Sequence, residues 1–218
     1  MNDAMIQLLV LAGIAVFLVL KLRSVLGTRE VFEKPPLPIN DRSAAAPNLT
    51  VIDGGPDRDI LDHAAEGSPS ALALAAMKQA EPGFALNPFL QGARGAYEMI
   101  LMAFERGDLS SVRPFLGPEV HDSFLEAIEA REAQGLTVEA NFVGLREMSF
   151  VEATFNPATK EGEVTVRFGG ELTSVIRNKA GVIDEGSATE IKRQRDVWTF
   201  ARKMGSADPN WQLVATGE

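Results

Sequence analysis

The chain predicts an α+β fold carried behind a membrane-spanning helix. Three observations point there. Residues 4–20 are almost wholly apolar, residues 69–134 repeat apolar side chains at helical spacing, and residues 138–215 switch to the alternation of β-strands. Helices followed by a run of strands is the order expected when helices cover one face of an antiparallel sheet, here a curved one.

The apolar run Ala4–Leu20 is interrupted only by Gln7 and Gly13, and Lys21, Arg23 and Arg29 follow it. A helix over residues 4–22 would be roughly 28 Å long at about 1.5 Å per residue, close to the thickness of a bilayer core. A cleaved signal peptide is the rival. It carries basic residues before its apolar core and small residues at a cleavage site. Here the basic residues come after, so an uncleaved anchor is the better reading. Lys21, Arg23 and Arg29 form its membrane flank, and positive flanks stay cytoplasmic. The expected address is therefore a bacterial inner (plasma) membrane crossed once, with the N-terminus outside and the remaining chain in the cytoplasm. A mitochondrial inner membrane is the second choice, because a transit peptide would be Arg-rich and poor in acids.

Net charge is -9, which disfavours nucleic acid as a partner because phosphate binding needs clustered Lys and Arg. Cysteine is absent, so no disulfide framework is available.

Residues 23–68 read as a flexible linker. Pro35, Pro36, Pro38, Pro47 and Pro56 punctuate it, and only Leu49-Thr50-Val51-Ile52 could extend as a short strand. About 40 flexible residues reach roughly 35 Å. The stretch is either a plain spacer or a spacer hiding a short partner-binding peptide.

The domain is expected over 69–218. Ser68 caps a first helix with Pro69 in its first turn, and Glu81-Pro82-Gly83 ends it. Its weak apolar stripe (Leu72, Ala75, Ala76, with Met77 beside it) docks on the domain or touches lipid. Asn87-Pro88 opens a stronger helix with Phe89, Ala93, Ala96, Tyr97, Ile100, Leu101 and Phe104 on one face, stopped by Gly107. Asp108 is expected to cap a short helix through Leu109, Val112, Phe115 and Leu116. A third helix runs from Pro118 to Gly135 with Val120, Phe124, Ala127 and Ile128 inward. Glu126, Glu129 and Glu132 form a solvated face.

Strands are expected over Val138–Phe155, over Val164–Arg177 with clean alternation, over Thr189–Arg202, and from Trp211 through Ala215. Gly169-Gly170 inside the second strand reads as a bulge or bend. Arg193 and Arg195 lie opposite the Trp198 face, as charged guards of an edge or as a contact for an acidic partner.

Chemistry-bearing residues are few. His63 falls in the linker and His121-Asp122 near a helix start. Neighbours on a helix do not face each other, so no acid–base pair is expected there. No metal-ligand spacing appears. The expectation is no catalytic residue, no metal and no cofactor. The aromatic set Tyr97, Phe104, Phe115, Phe124, Phe168, Trp198, Phe200 and Trp211 is either core or the lining of an apolar pocket for an acyl chain or an apolar segment.

An ordered series runs through this domain. It comprises Phe89-Leu90, Gly92-Ala93, Ala96-Tyr97, Ile100, Ala103-Phe104, Gly107-Asp108, Phe124 to Ile128, Arg131-Glu132, Val197-Trp198-Thr199-Phe200, and Asp208-Pro209-Asn210-Trp211 with Leu213. With an anchor in front, this series resembles the Tim44-like domain family. That family includes the motor-anchoring subunit of the mitochondrial inner-membrane translocase, membrane-anchored bacterial adaptors and a mitoribosomal protein. The resemblance implies a cone-like fold of the nuclear-transport-factor-two type. It also implies a non-enzymatic adaptor that recruits a chaperone, translocase or assembly factor to the membrane. Some relatives contact lipid, which makes lipid binding the alternative. The chain departs from the mitochondrial member in lacking its long basic N-terminal region and in carrying its own anchor.

Overall fold

The computed structural model describes residues 57–217. The expected anchor at 4–22, its flank Lys21, Arg23 and Arg29, and most of the expected linker lie outside the described residues. Among the described residues, no helix is long and apolar enough to cross a membrane.

Among the described residues, four α-helices precede four strands. They are α1 (Arg58–Leu61), α2 (Pro69–Ala80), α3 (Leu86–Arg106) and α4 (Pro118–Ala133), then β1 (Thr137–Asn156), β2 (Glu161–Arg177), β3 (Ile183–Lys203) and β4 (Gln212–Gly217). The strands form one antiparallel sheet in the order β1-β2-β3-β4. The expected α+β order of helices packed on an antiparallel sheet is the one observed.

The interior strand β2 shows why the pattern was readable. Val164, Val166, Phe168 and Leu172 point to the helices and are buried. Thr165, Arg167 and Glu171 point to the opposite face, where Thr165 Oγ1 lies 2.9 Å from Thr199 Oγ1. Strand β1 lacks this regularity because its register against β2 shifts three times, after Phe142, Leu145 and Phe150. Each shift adds twist and re-aims the following side chains.

Helix α3 holds the core together. Phe89, Leu90, Ala93, Tyr97, Ile100 and Leu101 are buried on one stripe, and Gly107 ends the helix in the left-handed region, at φ 76°. Leu74 and Met77 of α2 complete the layer, with Met77 lying over Gly162 of β2. A Cβ at Gly162 would meet the Met77 methyl at 3.0 Å, so a glycine permits that approach.

Three local expectations change. First, Asn87 does not cap α3. The helix begins at Leu86, and the Asp59 carboxylate accepts from the backbone N–H groups of Leu86 (2.7 Å) and Asn87 (2.9 Å). Asp59 belongs to the stretch read as linker, which from Asp57 onward folds on the domain and buries Ile60 and Ala64. Second, the helix expected after Asp108 is only a 3-10 turn, Arg113–Phe115. Pro114 has no N–H to continue a helix, and the chain must run straight into Leu116, which bridges to Leu213 of β4. Third, Gly169-Gly170 is not itself the bulge. The register shifts are on β1 opposite, and Gly170 serves a close approach described below.

Candidate functional site

The aromatic residues divide into two groups. Tyr97, Phe168, Trp198 and Phe200 form one continuous stack. Tyr97 lies parallel to Phe168 at 4.5 Å and tilts against Trp198 at 4.8 Å, and Trp198 contacts Phe200 at 6.2 Å. All four are buried. Phe104 and Phe124 pair at 4.8 Å where α3 meets α4, with the Arg131 guanidinium above Phe104. These six pack against one another rather than around an opening, except that one edge of Phe200 reaches a groove.

That groove, of about 360 Å³, lies between the first half of α3 and the corner where β3 turns into β4. Phe115, Phe200 and Trp211 line it, so three of the eight aromatics named from the sequence reach an opening. Phe84, Phe89, Pro88, Gly92, Ala93 and Ala96 complete the apolar wall. Phe89 packs on Trp211 at 4.7 Å and on Phe200 at 5.9 Å. Gly92 matters to the shape, because a Cβ built there meets nothing within 4 Å.

One end of the groove is charged. Arg202 stacks over the Trp211 ring at 5.4 Å and donates through a terminal nitrogen to Glu81, whose other oxygen accepts from Gly205 N–H at 2.8 Å. Arg202 is 8% exposed, and its Nε has no partner among the described residues. The Arg202 hydrogen bond holds the Glu81 carboxyl below its ordinary value, against the opposing effect of burial. Glu81 and Arg202 are 121 residues apart, and nothing in the local pattern of either signals the pair.

Inside the stack, Tyr97 Oη donates to Asp196 at 2.6 Å, and Gln194 Nε2 donates to the other carboxylate oxygen at 3.0 Å. Burial, then the Asp196 hydrogen bond and charge, push the Tyr97 phenol far above its ordinary range, so it stays protonated. Tyr97 and Asp196 are both buried and neither lines the groove, so the pair orders the core.

The histidines do not converge. His63 lies 3.0 Å from Asn87 Oδ1 and edge-on to Phe150. His121 Nδ1 does lie 3.0 Å from Asp122 Oδ1, contrary to the expectation for helix neighbours, but Asp122 points to solvent. Among the described residues, no group of three His, Cys, Asp or Glu could hold a metal ion.

Arg193 and Arg195 occupy the sheet face opposite the helices. Arg193 Nε donates to Glu171 at 3.2 Å, and Arg146 Nε donates to the other Glu171 oxygen at 2.7 Å.

Helices laid on one face of a four-stranded antiparallel meander, with an apolar groove at the helix–sheet corner, define an α+β domain built around an apolar interior. A family model for the Tim44-like domain matches residues 70–218, and the chain belongs to that family. Among solved structures, the intermembrane space region of the chloroplast protein ARC6 is similar at 12% identity. The likeness covers 59% of this chain and 94% of that one, with a TM-score of 0.40. No curated protein sequence matches the chain significantly.

Proposed function

We propose that this chain is a membrane-anchored, non-catalytic adaptor whose domain holds a protein partner of a translocation, chaperone or assembly system at the membrane. The observation that carries the reading is the match of residues 70–218 to the Tim44-like domain. The apolar run Ala4–Leu20 with Lys21, Arg23 and Arg29 behind it supports a single-pass anchor. The domain then faces the cytoplasm of a bacterium, in a cone-like arrangement of the nuclear-transport-factor-two type.

Affinity purification of the tagged full-length protein from solubilised membranes tests this, beside a form lacking residues 4–22. The adaptor reading requires a membrane-associated protein that copurifies with the full-length form and drops out when the anchor is removed. Repeated purification of the full-length form alone would overturn it.

A second reading is favoured by the groove. Its apolar wall of Phe84, Phe89, Phe115 and Trp211 suits an acyl chain or an apolar segment. Native mass spectrometry of the full-length protein, released from detergent, then shows a retained lipid mass. A clean apo mass removes this reading.

A further inference from the structure

We infer that residues 57–67 form a strap that opens under tension ahead of the domain, releasing chain while helices α2 to α4 and the sheet stay folded. The inference rests on the adaptor reading for the source of the load, and it makes the length of the tether adjustable.

The load path follows from chain order. The expected anchor at 4–22 precedes the strap, and the domain follows it. A partner drawing the domain away from the membrane therefore loads the strap first, from its N-terminal end.

The hold of the strap is small and concentrated. Helix α1 is four residues long, too short to persist as a helix once detached. Along residues 57–66 the buried side chains are Ile60 and Ala64. Gly67, at φ 72°, turns the chain before Ser68 caps α2. The polar grip centres on Asp59 and the first turn of α3. Asp59 accepts from the N–H groups of Leu86 (2.7 Å) and Asn87 (2.9 Å) and from Asn87 Nδ2 at 2.9 Å. Lys78 Nζ lies 2.8 Å from Asp59 and 2.7 Å from Asp57. Because the Asn87 amide nitrogen donates to Asp59, its Oδ1 is left to accept from His63 Nε2 at 3.0 Å. Asp59 and His63 thus close on the same Asn87 side chain, so releasing one loosens the other.

The domain behind the strap is held differently. Strand β1 pairs with β2 from Thr137 to Asn156, β2 pairs with β3 from Glu161 to Arg177, and α3 lays its buried stripe on this sheet. A segment with few buried apolar contacts beside a laddered core is the condition for local opening below the free energy of global unfolding.

The seat also favours return. The first N–H groups of a helix have no acceptor within it, and those of Leu86 and Asn87 are aimed at Asp59. The positive end of the 21-residue α3 and the Lys78 ammonium draw the carboxylate back when tension falls.

Cysteine is absent from the chain, so handles attach at two introduced cysteines alone, Asp53→Cys before the strap and Arg167→Cys at an exposed position of β2. The full-length protein in detergent micelles is stretched between them in optical tweezers. We expect a small first step that reverses on relaxation, followed by a large unfolding step. The first step lengthens the molecule by at most about 40 Å, the span of the extended strap. Asp59→Ala abolishes the first step or moves it to lower force and leaves the large step in place. Ile60→Ala does the same through the apolar contact. Without load, amide hydrogen exchange of Leu86 and Asn87 should match that of Leu61 and run ahead of Tyr97 in the middle of α3. A single step that unfolds the whole domain overturns the inference. So does a first step unmoved by both variants, or exchange of Leu86 and Asn87 in step with Tyr97. These readings need no partner, so a one-step unfolding removes the strap and leaves the adaptor reading to the copurification.

Discussion

Tyr97 Oη donates to Asp196 at 2.6 Å across the space left by Gly170. A Cβ at Gly170 would stand 2.6 Å from that same Oη, so the hydrogen bond and the glycine require each other. Tyr97→Phe leaves a buried carboxylate with only Gln194, at a cost of about 1–3 kcal/mol. Gly170→Ala pushes the phenol aside and costs a similar amount, about 1–3 kcal/mol, by overpacking. The two losses should not add, since they break one contact. Urea midpoints of the two single variants and the double variant check this.

Asp59 ties the segment before the domain to α3. Its carboxylate caps Leu86 and Asn87 and pairs with Lys78 at 2.8 Å. Asp59→Ala should therefore cost about 1–2 kcal/mol, the range for a lost N-cap. Amide hydrogen exchange should quicken first in residues 86–90 rather than in β2.

Acid should loosen the corner near the groove. Glu81 is held below its ordinary 4.5 by Arg202, against burial, with help from Gly205 N–H. For Asp59, burial pushes the carboxyl up from 3.8, but the bonds from Lys78, Asn87 and Leu86 outweigh it. Both groups therefore bind protons more readily unfolded than folded. Their stabilisation is complete above about pH 4.5 and is lost as the pH falls through the depressed folded values. Glu81→Gln should flatten the fall in urea midpoint measured from roughly pH 6 to roughly pH 3.

The groove can be filled without breaking the fold. A side chain at Gly92 enters open space on a helix where glycine itself disfavours helix by about 0.5–1 kcal/mol. Gly92→Trp should keep or raise the unfolding midpoint while removing any copurifying lipid. Gly95→Ala, also open, should stabilise by a similar amount and leave lipid content unchanged, which separates helix propensity from groove filling.

Much of the fold was legible because its elements follow their periods. The buried stripe Phe89, Ala93, Tyr97 and Ile100 and the alternation Val164, Val166, Phe168 are each set by one face meeting one core. What was not legible depends on distant partners. The Asp59 cap, the Glu81–Arg202 pair and the Tyr97–Asp196 bond join residues 27 to 121 positions apart. The shortened turn at Arg113–Phe115 was hidden because Leu109, Val112 and Phe115 also fit a spacing of three. The groove escaped for a related reason. Phe115 and Trp211 share their residue type with the core stack, and only the turn from β3 to β4 decides which aromatics face an opening.

The measurement that bears most directly on the central claim is in-cell photo-crosslinking of the full-length protein in its native membrane, read by mass spectrometry. The crosslinker would be placed at Met99 on α3, at Glu129 on α4 and at Arg195 on β3, all exposed. Reproducible crosslinks from at least one of these positions to a single membrane-associated protein are the expected result. Crosslinks confined to the protein itself, with lipid as the only companion, would contradict the adaptor reading and leave the groove as the functional site.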